Sequence, residues 1–351
     1  MMTRRRLTGA LIFLTASPCV RRLRCEKALR KLLCGAVACI VATSVFIAHA
    51  ETQPAPKVVF VIVDGIPADV IERVPTPAID AIAAVGAYHR AQVGGPIGKP
   101  GETPTVSAPG YMSLLTGTWA NKHNVYRNYG IAPNYDYWSI FRAAKTVKPE
   151  LRLGIFSTWT DNRTILLGEG RPEGGGFLFD FVLDGLEDDA ERFPLQHLDG
   201  QIADIDDTVS REAATVIEAE GPDLSWVYLQ YTDDVAHEYG DSVEFDRAVI
   251  DMDRRVHRLW SAVLARQHAH NEDWLVIVTT DHGRDEETGQ QHGGQSERER
   301  TIWIATNSER LTPRFFNTPE IVDIYPSIAR YLGITIPDQV ARHLDGASFI
   351  D

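Results

Sequence analysis

The apolar residues of this chain fall into two kinds of pattern. In the first, they run almost without interruption and stop at a polar residue, as in KVVFVIVD (57–64), LRLGIFST (151–158), LSWVYLQYTD (224–233), DWLVIVTTD (273–281) and TIWIAT (301–306). A strand buried on both faces has this pattern, because neither face needs polar positions. In the second, they recur three and four residues apart, most regularly at Phe245, Val249, Met252, Val256, Leu259 and Val263. That spacing predicts an amphipathic helix. Shorter helices are expected over TPAIDAIAAVG (76–86), YMSLLTG (111–117), DDTVSREAATVIEAEG (206–221) and PEIVDIYPSIARYLG (319–333). Gly86 and Gly117 stand at the ends of the first two. Strands alternating with helices predict an α/β fold with a mostly parallel sheet covered on both faces. A Gly- and Pro-rich loop is expected over 94–109. Residues 160–205 have no clean period and predict a cap or lid insertion.

The first fifty residues follow a different pattern. Nine Lys or Arg against one acid lead into the apolar run LLCGAVACIVATSVFI, followed by Ala48-His49-Ala50. A basic region, an apolar region and a small-x-small site predict a secretory leader cleaved after Ala50. The run is shorter than the roughly 20 residues of a spanning helix, so no stable membrane anchor is expected in the mature chain. Residues 51–56 (ETQPAP) read as a linker, and 57–351 as a single catalytic domain. Cys19, Cys25, Cys34 and Cys39 all fall in the leader, which excludes cysteine metal sites and disulfides from the mature part. Without the leader the net charge falls from −13 to about −21. A nucleic acid polymer is therefore not an expected partner. An anionic substrate would need a strong local positive charge, such as bound metal.

Acids stand where the buried strands stop: Asp64, Asp233, Asp281 and, less clearly, Asp161. Ligands of open α/β sheets bind beyond the carboxyl ends of the strands. Each acid alone has an ordinary explanation as a turn or helix-cap residue. Histidines strengthen the metal alternative. Asp233 and His237 are four apart, Asp281-His282-Gly283 puts two ligand types after a strand, and His292 lies beside glycines in QQHGG. Asp and His without Cys suit zinc, manganese or iron. Two ions about 4 Å apart would clamp an in-line displacement at phosphorus. Ser107, in SAPGYMSLLTG, is locally compatible with a turn residue, a modified serine or a nucleophile. Two metals would give it the third role.

In order along the chain, VIVDG, SAPGYMSLLTG, DDVAHEYG, TTDHG and QHGG resemble the alkaline phosphatase superfamily. Within it, they look most like the nucleotide pyrophosphatase/phosphodiesterase-like enzymes. IVDIYPSIARYLGITIP and HLDGASF resemble the end of that domain, so the similarity covers residues 57–350. The resemblance implies a three-layer sandwich with a small cap. It also implies one Zn2+ held by Asp233, His237 and His292 and another by Asp64, Asp281 and His282, with Ser107 between them. Serine stands where this branch usually has threonine. Asn128 falls where the family places an asparagine that hydrogen-bonds a phosphoryl oxygen.

Two departures narrow the activity. Relatives acting on phosphomonoesters or phosphonates have a basic pair where this chain has Thr160 and Asn162, leaving Arg163 as the only nearby cation and, after a one-residue shift, the candidate to bind substrate in that role. A monoester dianion gains more from such a clamp than a diester does. Sulfatases modify a nucleophile within Cys/Ser-x-Pro-x-Arg, and here Tyr111 occupies the arginine position. The expected activity is therefore exported, metal-dependent hydrolysis of phosphate diesters or pyrophosphates through a Ser107 phospho-enzyme. The expected substrate is a nucleotide or another small phosphodiester, met in the periplasm or outside the cell. The alternatives are a phosphomonoesterase, a sulfatase-like hydrolase, transfer to an acceptor and a non-enzymatic binder of phosphorylated ligands. Tyr129, Tyr135, Tyr137 and Trp138 could stack on a base or simply pack.

Overall fold

The apolar run after the linker forms β1 (Ala55–Val63), which is buried from Lys57 onward. Its residues alternate between two cores. Val58, Phe60 and Ile62 enter one, and Val59, Val61 and Val63 enter the other. This is why the sequence shows no polar alternation there. The computed structural model describes residues 53–194 and 198–351, so the leader, its cysteines and the cleavage position lie outside the described residues. The last two residues of the expected linker, Ala55 and Pro56, belong to β1.

The other strands are β2 (Ala87–Gln92), β3 (Leu153–Ser157), β4 (Phe181–Leu183), β5 (Leu224–Leu229), β6 (Glu272–Thr279) and β7 (Thr301–Thr306). They form one sheet in the order β2-β7-β6-β1-β5-β3-β4. β6, β1, β5, β3 and β4 run parallel, while β7 is antiparallel to both β6 and β2. On one face, α1 (Ala68–Arg73), α2 (Pro77–Val85), α5 (Leu198–Glu220), α6 (Tyr231–Tyr239) and α7 (Val243–Ala269) contribute to the core of Val59 and Val61. On the other, α3 (Ser107–Thr116), α4 (Ile140–Val147) and α8 (Ile324–Tyr331) cover Phe60 and Ile62. The result is a three-layer α/β sandwich.

Several boundaries differ from the sequence expectation. β5 ends at Leu229, so Asp233 lies in the first turn of α6 rather than on a strand. α3 begins at Ser107, inside the expected loop, because Pro109 is tolerated in a first turn. α5 starts at Leu198, well before residue 206. The expected closing helix divides into a 3-10 turn (Ile321–Asp323) and α8. β2 was not anticipated, because AYHRAQ is an edge strand with only Ala91 fully buried. Within 160–205, β4 pairs with β3 at the sheet edge. No helix among the described residues is long and apolar enough to cross a membrane.

The topology decides where loops go. β1, β5 and β6 end together at one edge. Because β7 runs the opposite way, the loop from β6 to β7 stays at that edge and carries residues 280–300 there. β2, antiparallel to β7, also ends there, so the loop into α3 delivers Ser107 to the same place.

Candidate active site

Ser107 is the first residue of α3, a helix buried along its whole length. Two of its hydroxyls bond within the helix: Ser113 Oγ donates to the Pro109 carbonyl and Thr116 Oγ1 to that of Met112, each at 2.7 Å. Gly117, with φ 62°, closes the helix, and a Cβ there would lie 2.9 Å from Leu344 Cδ2. The Ser107 hydroxyl stands 3.4 Å from His282 Nε2. The next backbone N–H, that of Ala108, donates to Asn128 Oδ1 at 2.8 Å.

Asp64 and Asp281 converge on the same imidazole. Asp64 Oδ1 lies 3.4 Å and Asp281 Oδ2 3.3 Å from His282 Nε2. Both oxygens are buried without a hydrogen-bond partner. Their sister oxygens are occupied. Asp64 Oδ2 accepts from Tyr111 and, at 2.6 Å, from the Tyr228 hydroxyl, while Asp281 Oδ1 accepts from the Gly65 N–H at 3.1 Å. His282 Nδ1 faces the Gly283 carbonyl at 2.9 Å, which places the proton on Nδ1 and leaves Nε2 as a lone pair.

Asp233, His237 and His292 form the second group. His237 Nε2 lies 3.4 Å from Asp233 Oδ2 and 3.0 Å from His292 Nε2. His292 Nδ1 is held by the Thr105 carbonyl at 3.0 Å, and its ring stacks on His282 with centroids 3.9 Å apart. Asp233 Oδ1 is 3.8 Å from His292 Nε2 and 4.0 Å from His282 Nε2. His282 therefore faces both groups.

The electrostatics show what the cluster lacks. Burial, then the charges of Asp281 and Asp233, raises Asp64 well above the carboxylate range. Burial and Asp233 push Asp281 up to about 7. Burial also works against ionisation of Asp233, but the charge of Arg284 and a hydrogen bond from His237 override it and hold that carboxyl below its usual value. Burial keeps His282 and His292 neutral. Neutral imidazoles, crowded carboxylates and two unpaired buried oxygens are what a divalent cation would satisfy. Each such oxygen left unmet costs about 1–3 kcal/mol. The donor set fits divalent metal ions in two overlapping groups, Asp64/Asp281/His282 and Asp233/His282/His292, with His237 beside the second.

A cavity of about 250 Å³ opens over Ser107, Asp64 and Asp233, walled by Asn128, Trp159, Tyr228 and Gln230. None of its described lining residues is Lys or Arg. Arg163 does not line it. Its Nε and Nη2 grip Asp184 at 2.5 and 2.9 Å. Asn162 is buried against Ser157, and Asp161 precedes a π turn and belongs to neither group of candidate ligands. Sequence reasoning did not give Tyr228, Arg284, Trp159 or Gln230 a role. Tyr228 reads as one more strand residue, and Arg284 as part of an exposed charged run.

A family model described as type I phosphodiesterase / nucleotide pyrophosphatase matches residues 58–327. Among curated proteins, GPI ethanolamine phosphate transferase 3 of Eremothecium gossypii is 34% identical over 122 residues, 30% of this chain and 11% of that protein. The chain thus spans about a tenth of the length of the curated relative it matches. Among solved structures, an inactive variant of murine ectonucleotide pyrophosphatase / phosphodiesterase 5 in complex with AMP superposes with TM-score 0.57 at 14% identity, over 82% of this chain and 96% of that one. A putative sulfatase from Bacteroides fragilis gives 0.55 at 14%, over 84% and 79%. A phosphonate monoester hydrolase from Silicibacter pomeroyi gives 0.54 at 14%, over 84% and 75%. At these identities the likeness is one of fold. It is the alkaline-phosphatase-like α/β architecture that the sequence resemblance implied.

Proposed function

The chain belongs to the type I phosphodiesterase / nucleotide pyrophosphatase family, and from that premise we propose that it is an exported two-zinc hydrolase of phosphate diesters or pyrophosphates acting through a Ser107 phospho-enzyme. The observation that carries this reading is Ser107 at the start of buried α3, 3.4 Å from the imidazole on which two unpaired carboxylate oxygens converge. In the proposed site Asp233, His237 and His292 hold one ion, and Asp64, Asp281 and His282 the other. When bound, the ions supply Lewis acidity, which acidifies a hydroxyl and neutralises phosphoryl oxygens.

The chain's own groups do the rest. Ser107 forms the bond to phosphorus as the ester oxygen leaves, and water then breaks that bond. The start of α3 turns the positive end of its helix dipole towards the anion. Asn128, oriented by Ala108 N–H, presents its amide to a phosphoryl oxygen. Trp159 and Gln230 offer a flat face and an amide to the leaving group. A mouth with no Lys or Arg among its described lining residues suits the single charge of a diester better than a monoester dianion. Arg163, already bound to Asp184, takes no part. Tyr111, bonded to Asp64, argues against a sulfatase-type nucleophile.

The test is turnover of three p-nitrophenyl esters by the zinc-loaded chain. The bis-phosphate diester should be preferred to the monophosphate, and the sulfate should be inert. Ser107→Ala should lose at least about a thousandfold in kcat while keeping its zinc; retained turnover refutes the phospho-enzyme. The likeness to a phosphate transferase favours a second reading, in which an alcohol rather than water takes the phosphoryl group. Product analysis with added glycerol or ethanolamine separates the two.

A further inference from the structure

Arg284 is buried with 0% exposure, and its guanidinium reaches every segment that carries a proposed ligand. Nε donates to the Gly65 carbonyl at 3.1 Å, beside Asp64. Nη1 donates to the Gln290 carbonyl at 3.2 Å, two residues before His292. Nη2 donates to the Asp233 carbonyl at 2.9 Å and also to Asp233 Oδ1. Arg284 itself follows Asp281, His282 and Gly283. The room for it comes from Gly65, whose φ is 68°; a Cβ there would sit 2.6 Å from Arg284 Nη2 and 2.7 Å from Asp233 Oδ1.

Asp233 Oδ1 is also the Asp233 oxygen that lies 3.8 Å from His292 Nε2 and 4.0 Å from His282 Nε2, so a cation held between it and those imidazoles shares it with a guanidinium. Like charges this close in a buried site repel strongly. No Arg or Lys touches Asp64 or Asp281 among the described residues. Their partners are hydroxyls and a backbone N–H.

Resting on the two-zinc reading, we propose that Arg284 is a built-in counter-charge of the Asp233 position: it stands in for the cation there and makes the Asp233/His237/His292 position the weaker of the two. Arg284 is thus a positioning residue that competes with zinc for Asp233. The Asp64/Asp281/His282 position fills first and empties last.

The test is zinc titration of the chelator-stripped full chain against a chromophoric competitor, with thermal unfolding read in parallel. The unaltered chain should show two classes of zinc differing at least about tenfold in affinity, and His237→Ala should lose only the weak class. Arg284→Met should unfold at a lower temperature without metal, yet bind the weak ion about tenfold more tightly or better. Its zinc-induced gain in melting temperature should therefore exceed that of the unaltered chain. Arg284→Lys, which keeps the charge, should leave the two classes apart.

A strut without a charge role would weaken zinc binding in both variants, and that result overturns the inference. So do equal affinities in the unaltered chain, a comparison that needs no folded variant. A chain that hydrolyses the diester with two equal zinc ions refutes only the role of Arg284. A chain that binds no zinc refutes the metal reading as well.

Discussion

The side chains of Asp64, Asp281 and His282 are each at most 1% exposed, and polar partners fix all but the two oxygens and one nitrogen that face one another. Around Asp233, His237 and His292 the shell is looser. The His237 side chain is 39% exposed, and a buried guanidinium already occupies part of Asp233. The first group is held by the sheet itself, through residues at the ends of β1 and β6 and tyrosines from β5 and α3. The second rests on a helix turn and a long loop. One half of the cluster is framework; the other reaches solvent at His237.

The largest effect expected from breaking this contrast is at its shared member. His282 Nε2 lies within 4.0 Å of all three carboxylates. His282→Ala should release both ions and lower kcat by about a thousandfold or more, read by bound zinc and diester turnover together. His237→Ala should remove one ion and keep the other, at a smaller loss. Equal losses in the two variants would erase the distinction between the halves.

A subtler change probes the framework half alone. Tyr228→Phe removes one of two hydroxyls from Asp64 Oδ2 and should weaken the tighter zinc by about ten- to a hundredfold, leaving the weaker ion unmoved in the same titration. The last effect lies outside the centre and touches stability alone. His123, fully buried with Nε2 3.3 Å from Ser113 Oγ, is pushed down to about 3 by burial. It stays neutral in the fold, whereas in the unfolded chain it takes a proton below about pH 6.5. Stability should therefore be fully present above that pH. As the pH falls from there towards 3, it should be lost by up to about 1.4 kcal/mol per unit. His123→Gln should flatten this slope equally with and without zinc, as measured by denaturant unfolding across pH.

The legible part of the molecule was the part governed by strong, local rules. β1 and β6 are buried on both faces and stop at acids, so Asp64 and Asp281 stand out in a bare sequence. Asp233 and His237 were visible as a pair four apart, although they proved to lie on a helix and not at a strand end. β2 was not legible, since its polar, half-exposed residues carry no period; β7 alone makes it a strand. Arg284 was not legible for the opposite reason. A guanidinium within RDEE reads as solvated charge, and only the folded approach of Gly65, Asp233 and Gln290 buries it. The grip of Asp184 on Arg163 spans 21 residues and has no local signature either.

Two of the loops at this edge are stitched together. His292 Nδ1 and the Gly293 N–H both meet Thr105, two residues before Ser107, and Gln295 and Arg300 bond to the carbonyls of Thr103 and Gly95. A graft that lengthens either loop would drag Ser107 and His292 apart at once. The opposite rim, residues 129–138 and 159–165, carries no such hydrogen bond to His292 among the described residues. Redesign of the cavity over Ser107 therefore has one permissive bank and one forbidden one, and a library built on this scaffold should be drawn from the permissive side.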